Sequence, residues 1–474
     1  MKICVLQPDY STSAVDYQYY DPPRELQPLL PNDEVDTIFL NKLTTYKQLK
    51  ALQHRGYDIF VNLCEGYLEW EVPSIDVIYT LELLNLPFTG PTSKLYDPPK
   101  ELMKYVAFCA DVATPSYILI SSINHLEKEC EHLQFPLFVK PAKAGDSLGI
   151  DDASLVKSQE ELLKKVTLLL TEYDELLVEE YIAGREFTVM LAANADGKTC
   201  TTFKPVEYIF PDNFQYKTYA LKTSELHSNA NIPCNDSGIE KQLRSSAEKI
   251  FKGFGGVGYG RLDFRMDATG KLYFLEINFT CSVFYTNGYE GSADYILQHD
   301  GFGQQRFLQH IIAEGIARYK RQQKKYAVKG NAIAGYGIYA TQNMAVGDLV
   351  FQGEGKSQRI VTKAFVAANW NSEAQENFRR YAYPISDEVF ILWDNDPQEW
   401  APQNHCCQPN TAYKGLNVYA INSIAQGEEL TLDYTSFLDD KMQPFNCKCG
   451  TLNCKGLIQG TANNTITERE KNAK

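Results

Sequence analysis

Five cysteines are crowded near the end of the chain, in a pattern that suits a metal ion. They are Cys406, Cys407, Cys447, Cys449 and Cys454, whereas the other cysteines are scattered over the preceding residues. Short spacings of this kind bring thiolate ligands together. The clustering indicates metal binding in a reducing compartment rather than a disulfide framework, and we therefore expect a cytoplasmic protein.

Side chains that offer oxygen ligands form a second group. Glu276 and Asn278 are two residues apart in a predicted strand, so both side chains are expected on one face of it. With Asp263 on an adjacent strand they provide the oxygen ligands that Mg²⁺ prefers. Arg261 precedes Asp263 by two residues and would face the same cleft. Taken alone, a Glu-x-Asn at a strand end is most often a surface pair, and that alternative is open at this point.

Length and charge limit the classes of protein. The 474 residues are too many for one hydrophobic core and suit several domains of about 150 residues each. A net charge of −14 argues against nucleic acid as the main partner, because phosphate contacts need Lys and Arg. No apolar run approaches the roughly 20 residues that cross a bilayer. Residues 1–10 are expected to form a first strand rather than a signal peptide. We expect neither a nucleic-acid nor a membrane partner.

The elements that must position these residues follow from hydrophobic periodicity. Short β-rich runs at 2–6, 37–40 and 57–63 alternate with helical patterns at 44–54 and 74–84, as in an α/β layer. A helix is predicted around 100–110, and strands at 135–141 and 176–182. Between these strands, five apolar residues form a predicted core-facing stripe: Leu162, Leu163, Val166, Leu169 and Leu170. Further helices are predicted near 238–251 and over 307–323, the second with a basic, solvated end. From residue 328 the sequence favours short strands and turns, and residues 461–474 are expected to be disordered.

Five segments occur in an order that resembles the ATP-grasp superfamily, in its D-alanine–D-alanine ligase-like branch. They are "LELLNLPFTGPTS" (81–93), "DPPKELMKY" (97–105), "FPLFVKPAKAGDSLGI" (135–150), "LLVEEYIAGREFTVML" (176–191) and "GYGRLDFRMDATGKLYFLEINFT" (258–280). The resemblance covers about the first 320 residues. It implies an α/β and α+β fold, and an enzyme that uses ATP to convert a carboxylate to an acyl phosphate, which an amine then attacks.

The same resemblance implies a role for individual residues. In the ATP site, the phosphate lysines would be Lys100 and Lys140, and Ser147 would belong to the glycine-rich loop over the phosphates. The hinge that binds adenine would be formed by Glu179, Tyr181 and Ile182, and Glu186 would bind the ribose. Lys217 would lie over the γ-phosphate, with Lys222 as the alternative. Asp263, Glu276 and Asn278 would hold Mg²⁺. Arg261 would stabilise the transferring phosphoryl group.

The sequence departs from this branch on the acceptor side of the cleft. Strand one continues into "QPDYSTSAVDYQYYDPP" (7–23), without the family's glycine-rich turn and its glutamate. The phosphate loop has Asp146-Ser147 in place of paired serines, and residues 279–282 are FTCS rather than TSPG. These changes indicate a substrate other than D-alanine.

The second half resembles a SET domain followed by a post-SET segment. The matching segments are "AGYGIYATQNMAVGDLVF" (334–351), "NHCCQPN" (404–410), "AINSIAQGEELTLDY" (420–434) and "CKCGTLNCKGLI" (447–458). The resemblance implies a mostly-β domain that binds S-adenosylmethionine and methylates lysine. Gly335 and Gly337 would let the backbone approach the cofactor. Asn404 and His405 would line its pocket, and Tyr434 would place its hydroxyl near the methyl group in transit.

The SET resemblance also specifies the zinc ligands. Cys447, Cys449 and Cys454 match three thiolates of one zinc site, and Cys407 matches the fourth. Cys406 lies outside the pattern and is interpreted as a small buried hydrophobe. Two departures concern the active site: Leu432 stands where an aromatic often limits the number of methyl groups, and Ala401 stands where an arginine is common.

These inferences predict a multidomain, bifunctional enzyme. The expected segments are an N-terminal α/β domain (1–95), an ATP-grasp domain (96–320), a SET domain (328–438), a post-SET zinc segment (439–458) and a disordered tail (459–474). The expected cofactors are ATP, Mg²⁺, S-adenosylmethionine and Zn²⁺. The partners would be small-molecule or peptide carboxylates and amines, and a lysine-bearing protein or peptide; a homodimer is left open. The alternative is that one half is catalytic and the other is a binding module.

Overall fold

The computed structural model describes residues 1–14, 21–66, 71–143, 148–210, 216, 230–356, 358–393, 401–440 and 443–461. The chain divides into two compact units, Met1–Gln322 and Gln323–Lys474, and each is described by itself. Among the described residues, no helix has both the length and the apolar character needed to cross a membrane. Most of the tail for which disorder is predicted lies outside these residues.

The first unit begins with a parallel sheet. Strands β1 (Lys2–Asp9), β2 (Glu34–Asn41) and β3 (Ile59–Asn62) pair in the order β2-β1-β3. Helices α1 (Thr45–Leu52) and α2 (Ile75–Leu83) follow β2 and β3. Residues 3–8 of β1 are all buried, because both faces of a parallel sheet are covered. The predicted strands and helices of this layer are confirmed.

A second sheet is antiparallel and carries one amphipathic helix. Its strands are β4 (Tyr117–Ile120), β5 (Leu137–Pro141), β6 (Leu155–Val156) and β7 (Leu176–Glu180), in the order β4-β7-β5-β6. The short helix α4 (Leu126–Glu129) precedes β5, and α5 (Gln159–Leu169) packs on the sheet through Leu162, Val166 and Leu169. Leu163, predicted in the same stripe, is 47% exposed, because it lies about 100° around the helix from Leu162.

The third sheet is the centre of the first unit. Its strands are β8 (Arg185–Ala193), β9 (Cys200–Thr202), β10 (Val206–Tyr208), β11 (Asn231–Pro233), β12 (Tyr259–Met266) and β13 (Leu272–Asn278), in the order β11-β10-β8-β12-β13 with β9 beside β8. Helices α3 (Lys100–Cys109) and α6 (Ser237–Gly253) share a core with this sheet. Helices α7 (Ser292–Asp300) and α8 (Gly303–Gln322) share another with β8 and the first sheet.

The end of α8 is less solvated than predicted. Arg318 is 6% exposed, and its guanidinium donates to the carbonyl oxygens of Phe88 (2.6 Å) and Gly90 (2.8 Å). Arg318 therefore ties α8 to the end of the first sheet, whereas Lys320 beyond it is exposed.

The second unit is built mostly of short strands. In chain order they are β14 (Tyr326–Asn331), β15 (Gly335–Ala340), β16 (Leu349–Phe351), β17 (Gln358–Thr362), β18 (Tyr383–Pro384), β19 (Val389–Trp393), β20 (Asn404–His405), β21 (Thr411–Lys414), β22 (Asn417–Ala420), β23 (Thr431–Leu432), β24 (Phe445–Asn446) and β25 (Leu457–Ile458). Helices α9 (Lys363–Asn369) and α10 (Ser372–Tyr381) lie between β17 and β18. The strands form small sheets around a core that includes Ile338, Val418 and Leu430. The prediction of short strands and turns in this half of the chain is confirmed.

Candidate active sites

The predicted oxygen ligands lie on one face of β12 and β13. These strands are antiparallel, and their register places Arg261 opposite Asn278 and Asp263 opposite Glu276. The intervening residues Leu262 and Ile277 are buried in the core, so the polar residues project to the opposite face. The sequence-based expectation that Glu276, Asn278, Arg261 and Asp263 share a cleft agrees with this register.

Neighbouring side chains orient Asp263. The hydroxyl of Thr188 on β8 donates to Oδ1 of Asp263 at 2.8 Å. Nη2 of Arg261 lies 3.9 Å from the other carboxylate oxygen, Oδ2. The carboxylate is thus held between a neutral donor and a cation, within a strand pair that fixes its backbone.

A β-bulge sets the direction of Glu276. Asp263 pairs with Glu276, but the next residue of β12, Phe264, pairs with Phe274, so Leu275 is the extra residue of β13. Phe274 and Ile277 are both buried although they are three residues apart. A bulge changes which residues of a strand share a face. Without it, Glu276 would point to the same side as Phe274, into the core.

Lys100 adds a buried cation to this face. It is the first residue of α3 and is 6% exposed. Its Nζ lies 3.9 Å from Oε2 of Glu276. Burial lowers the pKa of Lys100, and Glu276 opposes that shift. The structure therefore brings the predicted phosphate lysine to the predicted metal ligands.

Lys140 reaches the same region from β5 and pairs with Glu179 on β7. Nζ of Lys140 lies 2.5 Å from Oε1 of Glu179. The other oxygen, Oε2, lies 2.6 Å from Nζ of Lys104. All three side chains are buried. Burial alone would raise the pKa of Glu179, but Lys104 and Lys140 outweigh it and lower that pKa to about 2.

Lys104 was not singled out from the sequence. It lies one turn after Lys100, on the buried face of α3 with Met103 and Ala107. A lysine within a core-facing helical stripe needs a charged partner. The position of Lys104 in this stripe could have indicated a buried ion pair. Its partner could not be identified from the sequence, because Glu179 is 75 residues away in the chain.

Arg265 contacts three more of the predicted ATP-site residues. Its Nε and Nη2 both donate to Oε2 of Glu186 at 3.1 Å. Its Nη1 donates to the carbonyl oxygen of Ile182 at 2.8 Å, and its guanidinium lies 4.7 Å from the ring centroid of Tyr181. Glu186, Ile182 and Tyr181 therefore lie together, around an arginine that the sequence did not reveal. Ser147, Lys217 and the alternative Lys222 lie outside the described residues.

A buried ionic network lies at the other end of the cleft. Arg24 donates to Glu65 (2.9 Å) and lies 3.3 Å from Asp21. The hydroxyl of Tyr259 donates to Glu65 at 3.2 Å, and that of Tyr285 donates to Asp21 at 2.8 Å. This network joins the segments that follow β1 and β3 to β12 and to the segment after β13. One member, Asp21, belongs to residues 7–23, where the sequence departs from the ligase-like pattern.

Alternate residues of β12 give the cleft a linear order. Tyr259, Arg261, Asp263 and Arg265 share one face, and alternate strand residues are about 6.6 Å apart. Along this face come the Glu65 network, the guanidinium of Arg261, the oxygen ligands and the Arg265–Glu186 pair. The arrangement suits a long ligand with a polyanionic centre.

In the second unit, Asn404 meets the glycine segment of β15. Nδ2 of Asn404 donates to the carbonyl oxygen of Tyr336 at 2.9 Å and to Oε1 of Glu429 at 2.8 Å. A Cβ on Gly337 would lie 2.5 Å from that Oε1. The space above Gly337 is therefore filled by Glu429 and Asn404, rather than reserved for a ligand alone. A Cβ on Gly335 would meet open space, but its φ of +83° favours glycine.

His405 and Tyr434 are held together. The backbone N–H of Tyr434 donates to Nδ1 of His405 at 3.1 Å. The Tyr434 hydroxyl donates to the carbonyl oxygen of Gln403 at 2.7 Å. Burial raises the pKa of Tyr434 to about 12, so its hydroxyl stays protonated at neutral pH. Phe437 packs against its ring with a centroid distance of 5.6 Å, and Tyr383 and Tyr413 extend this aromatic cluster.

Four of the five C-terminal cysteines converge. The Sγ atoms of Cys407, Cys447, Cys449 and Cys454 all lie within 4.8 Å of one another, and those of Cys407 and Cys447 are 3.8 Å apart. Tetrahedral zinc with Zn–S bonds of about 2.3 Å requires sulfur atoms about 3.8 Å apart, so the cluster fits zinc. Cys406 lies outside it. Cys406 is partly exposed rather than buried as predicted, and its thiol donates to the carbonyl of Gln408.

Comparisons with known proteins give a family match in each half of the chain. The family model described as "D-ala D-ala ligase C-terminus" matches residues 110–287, and the one described as "SET domain" matches residues 335–435. A D-alanine–D-alanine ligase of Bordetella avium is 29% identical over 241 residues, which are 50% of this chain and 72% of that protein. A D-alanine–D-alanine ligase of Streptococcus uberis is 33% identical over 206 residues, and the chain spans only 57% of its length.

Solved structures add the fold. The D-alanine–D-alanine ligase of Coxiella burnetii has a TM-score of 0.50 at 19% identity, covering 68% of this chain and 97% of that one. The VanG D-Ala:D-Ser ligase of Enterococcus faecalis has the same score and identity, covering 66% and 99%. At such identity the likeness extends to the fold alone. The chain thus joins a D-alanine–D-alanine ligase-like ATP-grasp fold to a SET domain in one polypeptide.

Proposed function

We propose that the first unit is an ATP-dependent carboxylate–amine ligase that works through an acyl phosphate. The observation that carries this proposal is the meeting of Glu276 with both Asp263, its cross-strand partner, and the buried Nζ of Lys100, 3.9 Å away. A phosphoryl group would pass from ATP to the substrate carboxylate, giving ADP and an acyl phosphate. Attack by an amine would then form the amide and release phosphate.

The residues divide this work by charge. Asp263, Glu276 and Asn278 offer the oxygen ligands that suit Mg²⁺, which when bound neutralises triphosphate charge. Lys100 and Lys140 bind phosphate oxygens, and Arg261 stabilises the phosphoryl group in transit. Glu186 accepts hydrogen bonds from the ribose, and Glu179, Tyr181 and Ile182 form the adenine side. Ser147 and Lys217 remain predicted members of the site.

The acceptor end supports a substrate other than D-alanine. The segment after β1 lacks the family's glycine-rich turn, and its Asp21 is paired instead with the buried Arg24, which also binds Glu65. We assign small-molecule or peptide carboxylates and amines as the substrate class.

For the second unit we propose S-adenosylmethionine-dependent methylation of a lysine in a protein or peptide. The supporting observation is the Tyr434 hydroxyl, protonated and fixed by Gln403 beside an aromatic cluster. An apolar aromatic channel lowers the pKa of a lysine amine by desolvation and so favours its neutral, nucleophilic form. Asn404, His405, Gly335 and Gly337 would line the cofactor pocket. Zinc on the four cysteines would hold the post-SET segment.

The other predictions stand as parts of the proposal: a cytoplasmic, bifunctional enzyme with the five segments given above, and dimerisation as an option. The experiment is a screen of amino acids and peptides for ADP release, with methyl transfer from labelled cofactor measured in parallel. Activity in both assays supports the proposal. Activity in one assay only would favour the alternative, in which the other half is a binding module.

A further inference from the structure

The ring of His405 lies between the cysteine cluster and the segment that carries Tyr434. Its side chain is only 2% exposed, and both ring nitrogens have partners within the chain. Nδ1 accepts the backbone N–H of Tyr434 at 3.1 Å, and Nε2 lies 3.4 Å from Sγ of Cys407. One imidazole therefore contacts a proposed zinc ligand on one side and the backbone of the proposed catalytic tyrosine on the other.

The hydrogen-bond partners assign the hydrogen of this ring to one nitrogen. A backbone N–H only donates, so Nδ1 must be the accepting nitrogen, and a neutral ring then carries its hydrogen on Nε2. Asp433 does not reverse this assignment, because its Oδ1 is 3.7 Å from Nδ1 and accepts hydrogen bonds from Thr435 instead. Nε2 of His405 therefore donates to the sulfur atom of Cys407.

A donor at this sulfur suits a zinc thiolate. Four thiolates outweigh the charge of one Zn²⁺, so the cluster would be anionic, and N–H groups that point at sulfur stabilise it. Cys407 accepts a second such group, the backbone N–H of Lys455, at 3.3 Å. Nζ of Lys455 lies 2.7 Å from Oδ2 of Asp433 and 2.8 Å from Oγ1 of Thr435, the residues on either side of Tyr434. Two sets of contacts thus connect the cluster to the same turn.

We infer that His405 is a positioning residue that connects the zinc site to Tyr434, with Nε2 stabilising the Cys407 thiolate and Nδ1 fixing the backbone of Tyr434. The inference rests on the zinc site of the proposed function. Because both ring nitrogens bind within the chain, His405 can line a cofactor pocket only through its other atoms. The two contacts should also be separable, because each depends on a different nitrogen.

Two amide substitutions in the full chain separate these contacts. The amide of Asn reaches about as far as Nδ1, and that of Gln about as far as Nε2. His405→Asn keeps an acceptor for the Tyr434 N–H but loses the donor to Cys407, and should weaken zinc binding about 10- to 100-fold. His405→Gln keeps that donor but loses the acceptor, so hydrogen exchange of the Tyr434 amide should become roughly tenfold faster. Competition with a chromophoric chelator measures zinc affinity, and mass spectrometry measures exchange.

Each variant also contains its own control. Zinc affinity should stay near wild type in His405→Gln, and exchange at Tyr434 should stay near wild type in zinc-saturated His405→Asn. His299→Asn changes a histidine of the first unit, which contacts the carbonyl oxygen of Asn231, and should alter neither property. Equal losses of both properties in the two His405 variants, or no loss in either, would overturn the positioning role.

Failure of the inference can be distinguished from failure of the proposed function. A wild-type chain that binds no zinc would overturn the zinc site and the positioning role together. A wild-type chain that binds zinc but transfers no methyl group would contradict the methyltransferase proposal alone, because zinc affinity and exchange at Tyr434 decide the role of His405 without any methyl acceptor.

Discussion

Nζ of Lys104 lies 2.6 Å from Oε2 of Glu179, in the interior of the first unit. Because Lys140 takes the other oxygen of Glu179 at 2.5 Å, two lysines share one carboxylate. Burial and, to a smaller extent, Lys140 lower the pKa of Lys100. Three buried lysines therefore lie in this region, and such cations bind the oxygen atoms of a polyanionic ligand such as a triphosphate.

Replacing Lys104 should weaken ATP binding. In Lys104→Met, Glu179 would interact with Lys140 alone, and Lys140 would be less available to phosphate. One charge-assisted hydrogen bond of about 1.5 kcal/mol corresponds to roughly tenfold in Kd. Calorimetric ATP affinity measures this effect, and KM for ATP should rise more than kcat falls. Lys42→Met removes a partly buried lysine, paired with Asp76 at 2.6 Å, and is the control outside the ATP site; equal ATP affinity in the two variants would contradict the prediction.

Glu276→Gln should abolish ATP turnover and leave the fold intact. The change keeps the size of the side chain but removes the charge that suits Mg²⁺ and that faces Lys100. ADP release is measured with a substrate found in the wild-type screen, and circular dichroism checks the fold. Glu240→Gln, which alters a partly buried ion pair with Lys204 away from these ligands, should keep its activity. Wild-type turnover in Glu276→Gln would show that the metal assignment is wrong.

The purified chain should contain one zinc ion per molecule. Elemental analysis of protein never exposed to chelator gives the ratio. Cys454→Ser should lose zinc and lower methyl transfer while sparing ATP hydrolysis, since its thiol belongs to the four-sulfur cluster of the second unit. Cys406→Ser, outside the cluster, should keep the zinc. A zinc-free wild type, or full zinc in Cys454→Ser, would contradict this prediction.

Tyr434→Phe should slow methyl transfer about 100-fold without preventing cofactor binding. The change removes the hydroxyl that donates to Gln403 but keeps the ring that packs on Phe437. Labelled S-adenosylmethionine reports the rate, and calorimetry reports the affinity. Tyr419→Phe, on β22, is the control for loss of a tyrosine hydroxyl. A rate equal to wild type in Tyr434→Phe would show that the hydroxyl takes no part in methyl transfer.

Stability of the first unit should depend on pH through Glu179. Its pKa is about 2 in the folded protein and about 4.3 in an unfolded chain. The folded state therefore favours the ionised form, and this contribution is present above about pH 4.3 and lost as pH falls toward 2. Denaturant titrations should give Glu179→Gln a smaller loss of unfolding free energy over that interval. The same slope in wild type and variant would assign the pH dependence to other groups.

Local patterns predicted the elements and the shared face of the oxygen ligands, because alternation within a strand depends on neighbours in sequence. Lys104 and Arg265 escaped prediction for the opposite reason. Their carboxylate partners, Glu179 and Glu186, lie 75 and 79 residues away in the chain, and only the packed sheets bring them together. The prediction for Gly337 was incomplete for the same reason. Glu429, which fills the space above Gly337, is distant from it in the chain.

The extra residue Leu275 gives β13 a tolerance that ordinary strands lack. Upstream of it, even-numbered residues such as Leu272 and Phe274 face the core; downstream, the odd-numbered Ile277 does. Deleting Leu275 would restore a regular ladder and leave Glu276 and Asn278 facing the cleft. Deleting Ile277 would turn Asn278 toward the core, because nothing beyond that point can absorb the change. This strand can therefore be one residue shorter at the bulge and still present the same side chains to the cleft.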